Sequence, residues 1–225
     1  MVIKPLYLLA DSQLLFWKSG EDSLAERIRA DLDSSKPSAA YIGASNGDQP
    51  EFYSLFQAAM DSMGISHCRA VPSQPSKEDI SFIEQADLIL FSGGDVERGW
   101  RTFEQNGIKE LVPRKRFDGA ILMGVSAGAV QLGLGCLSNS AQPKQIDMFR
   151  FAPFYVGAHD EGNDWWDLRA LVNLSLTDTR AIGIPTGGGA VYQFDGTLEP
   201  IRKHLTELTR ESATITENVL TPLVR

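Results

Sequence analysis

The chain has 225 residues, 43% of them apolar, and a net charge of −8. This length can bury a sizeable core without staples and fits one domain over 1–225, while the acidity argues against non-specific binding to nucleic acid or an anionic membrane. No stretch approaches a transmembrane span, and the apolar run Leu6–Ala10 behind Lys4 is cut by Asp11, too short for a secretory signal, so a cytoplasmic protein is expected.

Leu6 to Ala10 reads as a first buried strand. Asp22 to Leu32 carries Leu24, Ile28 and Leu32 four apart, a helical stripe. Ala39 to Gly43 is a second strand and Ala44 to Asp48 a polar turn. The helical face of Phe52, Leu55, Phe56, Ala59, Met60 and Met63 then ends at Gly64. Ser66 to Val71 is a third strand, Lys77 to Gln85 a short helix and Leu88 to Phe91 a fourth strand, which runs into Ser92-Gly93-Gly94-Asp95. Helices follow from Val96 and over Ile108 to Val112. This alternation predicts an α/β fold, a parallel sheet with helices on both faces, whose ligands sit at the carboxyl ends of the strands.

Gly119 to Ala129 organises the rest. Ala120 to Met123 is a buried strand, and Gly124, Ser126 and Gly128 give the spacing G-x-S-x-G ahead of a small-residue helix. That is a strand, a sharp turn and a helix with a serine at the apex. The turn is strained, so the neighbours of the nucleophile must be small, and the Ala127 N–H points at the developing oxyanion. Beyond Leu134 the pattern weakens. Ser138 to Asp147 reads as a loop, Phe149 to Val156 as extended and aromatic, Trp165 to Leu174 as helical and Ala181 to Pro185 as another buried strand. Short strands over Ala190–Phe194 and Thr197–Ile201 flank a turn at Asp195-Gly196.

A serine nucleophile needs a base, and there are three histidines. His67 lies inside the third strand and reads as packed and hydrogen-bonded; His204, beside Arg202 and Lys203, reads as a surface residue. His159 sits in a polar loop between an extended segment and a helix, which is how a base is presented at a sheet edge. Gly93-Gly94 either permits a tight turn or lets the Gly94 N–H reach an anionic oxygen beside that of Ala127. Neither this stretch nor Thr186–Gly189 has the lysine of a phosphate loop. Cys68 and Cys136 stand in no metal-ligand spacing and read as reduced, buried thiols. Trp165-Trp166 reads as core and cap packing, and the run Asp160, Glu161, Asp164, Asp167 as a solvated face; no metal or organic cofactor is expected.

GVSAGA at 124–129, FSGGD at 91–95 and a histidine about 33 residues after the serine resemble the dipeptidase E / cyanophycinase family of serine peptidases, over roughly Leu6 to Ile201. The resemblance implies a three-layer, doubly wound, mostly parallel sheet of the flavodoxin-like, class I glutamine amidotransferase-like type. It implies Ser126 as nucleophile, His159 as base, and Gly94 and Ala127 as oxyanion donors. The expected partner is a small peptide or isopeptide, cleaved through an acyl-enzyme, with an aspartyl residue on the acyl side. No nucleic acid or membrane is expected, and a homodimer is allowed. The family's acidic residue falls in the turn Thr186-Gly187, so Thr186 occupies its place without a charge, and Asp147 is the candidate relay acid, with Asp160 an alternative. Where cyanophycinases follow their histidine with arginines this chain has Asn163, Asp164, Trp165 and Trp166; Asp95, Arg98 and Arg169 are the candidate substrate-binding residues. The competing expectation is a member that kept the cleft, lost its relay acid and binds a small ligand or peptide.

Overall fold

The computed structural model describes residues 3–20, 22–175, 178–212 and 214–222. Its first half alternates as expected: β1 (Leu6–Leu9), a small pair β2 (Lys18–Ser19) and β3 (Asp22–Ser23), α1 (Leu24–Asp31), β4 (Ser38–Ile42), α2 (Pro50–Ser62), β5 (His67–Val71), α3 (Lys77–Gln85), β6 (Leu88–Phe91), α4 (Val96–Gln105), α5 (Ile108–Phe117), β7 (Ile121–Val125) and α6 (Ala127–Leu132). β8 (Gly135–Leu137) precedes the segment read as a loop, and its hairpin partner β9 (Gln145–Asp147) occupies the end of that segment. Then come β10 (Tyr155–Ala158), α7 (Trp166–Leu174), β11 (Thr179–Ile184), β12 (Gly189–Tyr192), β13 (Leu198–Ile201), β14 (Leu205–Glu211) and β15 (Thr214–Leu220).

The main sheet has the order β13-β12-β1-β7-β6-β4-β5. Its five strands from the first half are parallel, and β12 and β13 add an antiparallel margin. Apolar runs make these strands because both faces are covered. Leu8, Ile42, Ile89 and Phe91 point to one side with Trp100 and Phe103 of α4, Ile108 and Leu111 of α5 and Leu132 of α6. Tyr7, Leu9, Tyr41, Leu90 and Met123 point to the other with Leu24 and Ile28 of α1 and Phe56 and Met60 of α2. The period of two along each strand thus gives three layers. Among the described residues no helix is long and apolar enough to cross a membrane.

The buried strand read at Ala181–Pro185 lies outside the main sheet. As β11 it belongs to a second sheet, β10-β11-β14-β15, parallel to β10 and antiparallel to β14. A separate cluster of Tyr155, Trp165, Leu168, Leu171 and Leu208 seats α7 on this sheet. Trp165 is buried there against Gly183, whereas Trp166 is 58% exposed, so only the first of the tryptophan pair is core. His67 is exposed rather than packed in, because β5 is an edge strand; its ring meets the edge of Phe82. Both cysteines are free and half-buried rather than fully buried.

Candidate active site

β7 runs into Ser126, whose backbone stands at φ +48°, ψ −109°, outside the ordinary regions for a residue with a side chain. The turn is held from both directions. The Ser126 N–H donates to the Leu9 carbonyl of β1 at 2.8 Å, and the Ser126 carbonyl accepts from Ala129 N–H at 2.9 Å. Gly128 is required by close approach: a Cβ there would lie 2.2 Å from the Phe91 carbonyl oxygen, so the helix leaves the strand end backbone to backbone. The hydroxyl of Ser126 is thereby lifted clear of the sheet.

His159 follows β10 and is presented from the second sheet. The register pairs Ala158 with Ile184, and the His159 N–H donates to the Ile184 carbonyl at 2.9 Å. His159 too has a positive φ, +47°. Its Nε2 lies 2.7 Å from Ser126 Oγ, although the two residues are 33 positions apart and carried by different sheets. Both are at the carboxyl ends of parallel strands, where ligands of such sheets bind.

Gly94 completes the arrangement. It follows the carboxyl end of β6 at φ +121°, and a Cβ there would lie 2.2 Å from the Ser45 carbonyl oxygen, so only glycine fits. Among the described residues, neither the Gly94 nor the Ala127 N–H donates to a backbone carbonyl in a turn, loop or cap. Two hollows meet here, and Gly94, Ser126 and His159 border both. The larger, about 400 Å³, has a wall of Leu15, Tyr41, Phe52, Phe56 and Val125, with Asp11 and Arg98 among its polar groups. The smaller, about 270 Å³, is bordered by Glu97, Asp160 and Asp167. Burial, helped by Asp160, raises the Asp167 carboxyl above its usual value. Cys136 also lines the smaller hollow, and burial, with the nearby carboxylates, pushes its thiol up to about 12, which removes it as a competing nucleophile.

The other expected site residues are placed elsewhere. Asp147 lies on β9, 66% exposed and paired with Arg150 at 3.3 Å, and borders neither hollow, so the relay role expected of it does not stand. Asp95 caps α4, its Oδ1 accepting the Arg98 N–H at 2.8 Å, and borders neither hollow at the serine. Arg169 is spent on Asp164 and on Glu217 of β15, because α7 turns that face toward the far edge of the second sheet. Arg98 does reach the larger hollow, with its guanidinium donating to the Ser45 carbonyl. Thr186 lies two residues beyond Ile184, which the β10–β11 register sets opposite Ala158, and its N–H donates to Glu161 Oε1 at 3.0 Å. The next N–H, of Gly187, donates to Asp11 Oδ2 at 2.6 Å. Neither Glu161 nor Asp11 stands out in the sequence, since one falls in an acidic run and the other merely ends a strand. The available signal is their place, two residues after His159 and two after the end of β1. Among the described residues no group of three or more His, Cys, Asp or Glu could hold a metal ion.

Residues 7–164 match the model of peptidase family S51. The uncharacterized peptidase YgaJ of Bacillus subtilis (strain 168) is 23% identical over 146 residues, which span 61% of this chain and 63% of that protein. The chain thus matches less than two thirds of that relative's length. The crystal structure of a peptidase from an acI-B1 Actinobacterium superposes with a TM-score of 0.73 at 20% identity, covering 98% of this chain and 95% of that one. A Listeria monocytogenes EGD-e protein, provisionally assigned to peptidase E, superposes with a TM-score of 0.59 at 14% identity, covering 97% of this chain and 99% of that one. At those identities the two structures are similar in fold. With the family match over most of the chain, the chain belongs to peptidase family S51, the dipeptidase E family.

Proposed function

We propose that this peptidase is a serine hydrolase that cleaves a small peptide through an acyl-enzyme, with Ser126 as nucleophile and His159 as general base. The observation that carries the reading is the 2.7 Å approach of Ser126 Oγ to His159 Nε2 on a strained elbow. His159 takes the hydroxyl proton as Oγ bonds to the scissile carbonyl carbon. The carbonyl oxygen becomes an oxyanion, facing the N–H groups of Gly94 and Ala127. His159 then returns the proton to the departing amine, and the peptide C–N bond breaks. In the second half, water loses a proton to His159 and attacks the Ser126 ester, and the acid is released as Oγ regains its proton.

The larger hollow supports an apolar residue on the substrate, since Leu15, Phe52, Phe56 and Val125 offer it an apolar wall. An aspartyl side chain would depend on Arg98, whose guanidinium already serves the Ser45 carbonyl. We therefore place apolar acyl-side residues ahead of aspartyl ones. The test is covalent labelling with a fluorophosphonate, in which Ser126 Oγ displaces fluoride at phosphorus. The expected result is one adduct at Ser126, absent from Ser126→Ala. A folded wild-type protein that takes up no label would reject the hydrolase and leave a binding protein with an intact cleft.

A further inference from the structure

We propose that Gln131 is a positioning residue that holds the two oxyanion donors, Gly94 and Ala127, at a fixed spacing. This rests on the serine–histidine reading above and on its oxyanion site.

The two donors belong to separate elements. Ala127 opens α6, behind the elbow, and Gly94 lies in the loop between β6 and α4. An oxyanion site works only when both N–H groups stand about 3 Å from one oxygen. Something must therefore tie α6 to the Gly94 loop, and Gln131 makes that tie. It lies one turn after Ala127 on α6. Its Nε2 donates to the Val96 carbonyl at 3.0 Å and to Ser45 Oγ at 3.1 Å. Val96 is the first residue of α4, two positions after Gly94. Ser45 presses on the same loop from the other side. Its carbonyl oxygen accepts the Asp95 N–H at 2.8 Å and is the atom that a Cβ on Gly94 would strike. One amide group thus reaches the residues that fix the Gly94 loop, from the helix that begins with the second donor.

The bridge is built in a place where polar groups are costly. Gln131 is 0% exposed and Ser45 1%, while Ala129 and Leu132 of the same helix belong to the apolar core. Gln131 Oε1 has no hydrogen-bond partner among the described residues. A buried amide satisfied at only one end favours stability less than an apolar side chain of the same length. The Val96 carbonyl can only accept, so the amide must keep its nitrogen toward the loop. Room for the bridge comes from Gly99 of α4. A Cβ there would lie 2.1 Å from Ser45 Oγ and 2.5 Å from Gln131 Nε2, and a glycine inside a helix weakens it. Two departures from the most stable choice, Gln131 and Gly99, therefore serve one set of hydrogen bonds. Breaking local rules at a cost to stability is the pattern of residues kept for the geometry of a site.

The experiment uses the whole chain and the variants Gln131→Met, Ser45→Ala and Gln131→Met/Ser45→Ala. Three quantities are read: kcat/KM on a phenylalanyl p-nitrophenyl ester, the melting temperature, and inhibition by a matched pair of compounds. One is a phenylalanyl trifluoromethyl ketone. Ser126 Oγ adds to its carbonyl carbon, the carbonyl oxygen becomes an oxyanion, and the hydroxyl proton passes to His159. The other is the corresponding alcohol, which forms no oxyanion. Loss of a whole oxyanion donor costs about 100- to 1000-fold, so a displaced one in Gln131→Met should lower kcat/KM about 5- to 50-fold. The ketone should weaken by a similar factor and the alcohol by less than about twofold. The melting temperature should stay within about 3 °C of wild type, since methionine fills the space and removes the unpartnered oxygen. Ser45→Ala should act in the same direction but less. Adding it to Gln131→Met should change kcat/KM by less than about twofold, because its bond is already lost.

A merely structural glutamine gives a different pattern. Gln131→Met would then melt well below wild type, or the ketone and the alcohol would weaken equally. Either result, a Gln131→Met enzyme within twofold of wild type, or full additivity of the two substitutions would overturn the proposal. A wild-type protein that takes no fluorophosphonate at Ser126 would instead remove the serine–histidine reading beneath it.

Discussion

Replacing Ser126 by glycine should stabilise the protein while abolishing its chemistry. Ser126 is held at φ +48°, ψ −109°. A residue with a Cβ in a sparsely populated region costs about 1–3 kcal/mol, and glycine pays little of this. Glycine also loosens the unfolded chain, which returns about 0.4–1 kcal/mol. The net gain is then on the order of 1 kcal/mol, or about 2–4 °C in melting temperature for a chain of this size. Ser126→Ala is the right reference, because it also loses the hydroxyl bond to His159 but keeps the Cβ and the strain. Thermal unfolding of wild type, Ser126→Ala and Ser126→Gly in one buffer, followed by circular dichroism, reads the difference directly. Ser126→Ala should lie within a few degrees of wild type, and Ser126→Gly about 2–4 °C above Ser126→Ala. If glycine melts at or below alanine, the elbow is not strained and the case for a nucleophile held under tension fails. Such a gain on losing the reactive group is the expected mark of a site where stability was traded for activity.

Gly94→Ala should be costly twice. Its Cβ would meet the Ser45 carbonyl oxygen at 2.2 Å and the carbonyl carbon at 2.6 Å at φ +121°, costing about 2–5 kcal/mol by calorimetry, and the displaced N–H should lower kcat about 100- to 1000-fold. A variant that is both stable and active would remove Gly94 from the oxyanion site. On substrate choice, leucyl and phenylalanyl p-nitroanilides should give higher kcat/KM than the aspartyl one, and Phe52→Ala should raise KM for the apolar pair; a clear aspartyl preference would contradict the apolar wall. Away from the site, burial pushes the Asp79 carboxyl up, but Ser76 and the 2.6 Å pair with Arg69 outweigh it and hold the group below the usual range. Its stabilisation is present above the unfolded pKa of about 3.9 and is lost as pH falls through the lower folded value. Asp79→Asn should therefore cost about 1–2 kcal/mol at pH 7, with the gap to wild type closing below about pH 4; a gap that persists in acid would show a loss of packing instead.

The parts of the fold legible in the sequence are those whose partners lie within one strand–helix unit. Lys77 to Gln85 and Leu88 to Phe91 are bounded as read, because Ser76 with Asp79 forms a capping box and the apolar run stops at Ser92. The helix from Ile108 runs on to Phe117, past the expected end at Val112, because its second half is charged and its Pro113 signals a stop that the helix tolerates. The strand Ala181–Pro185 is found in sequence but misplaced in space. An apolar run shows that both faces are covered and does not name the neighbour, and here the neighbours are β10 and β14. His67 fails for the same reason, since only the sheet order shows that β5 is an edge.

The site divides along the same line. Gly128 and Gly94 are readable because backbone geometry forces their residue type locally: a Cβ at either would strike a carbonyl oxygen, so the glycines record the turn, and Ser126 is read from its place between Gly124 and Gly128. His159 is readable only by elimination among three, since nothing local requires a histidine there. The carboxylates are harder still. Glu161 and Asp11 lie 150 residues apart in sequence, yet adjacent N–H groups of one turn, Thr186 and Gly187, hold one each. A backbone donor leaves no trace in residue identity, so no inspection of Thr186 alone could show that a charge stands beside it.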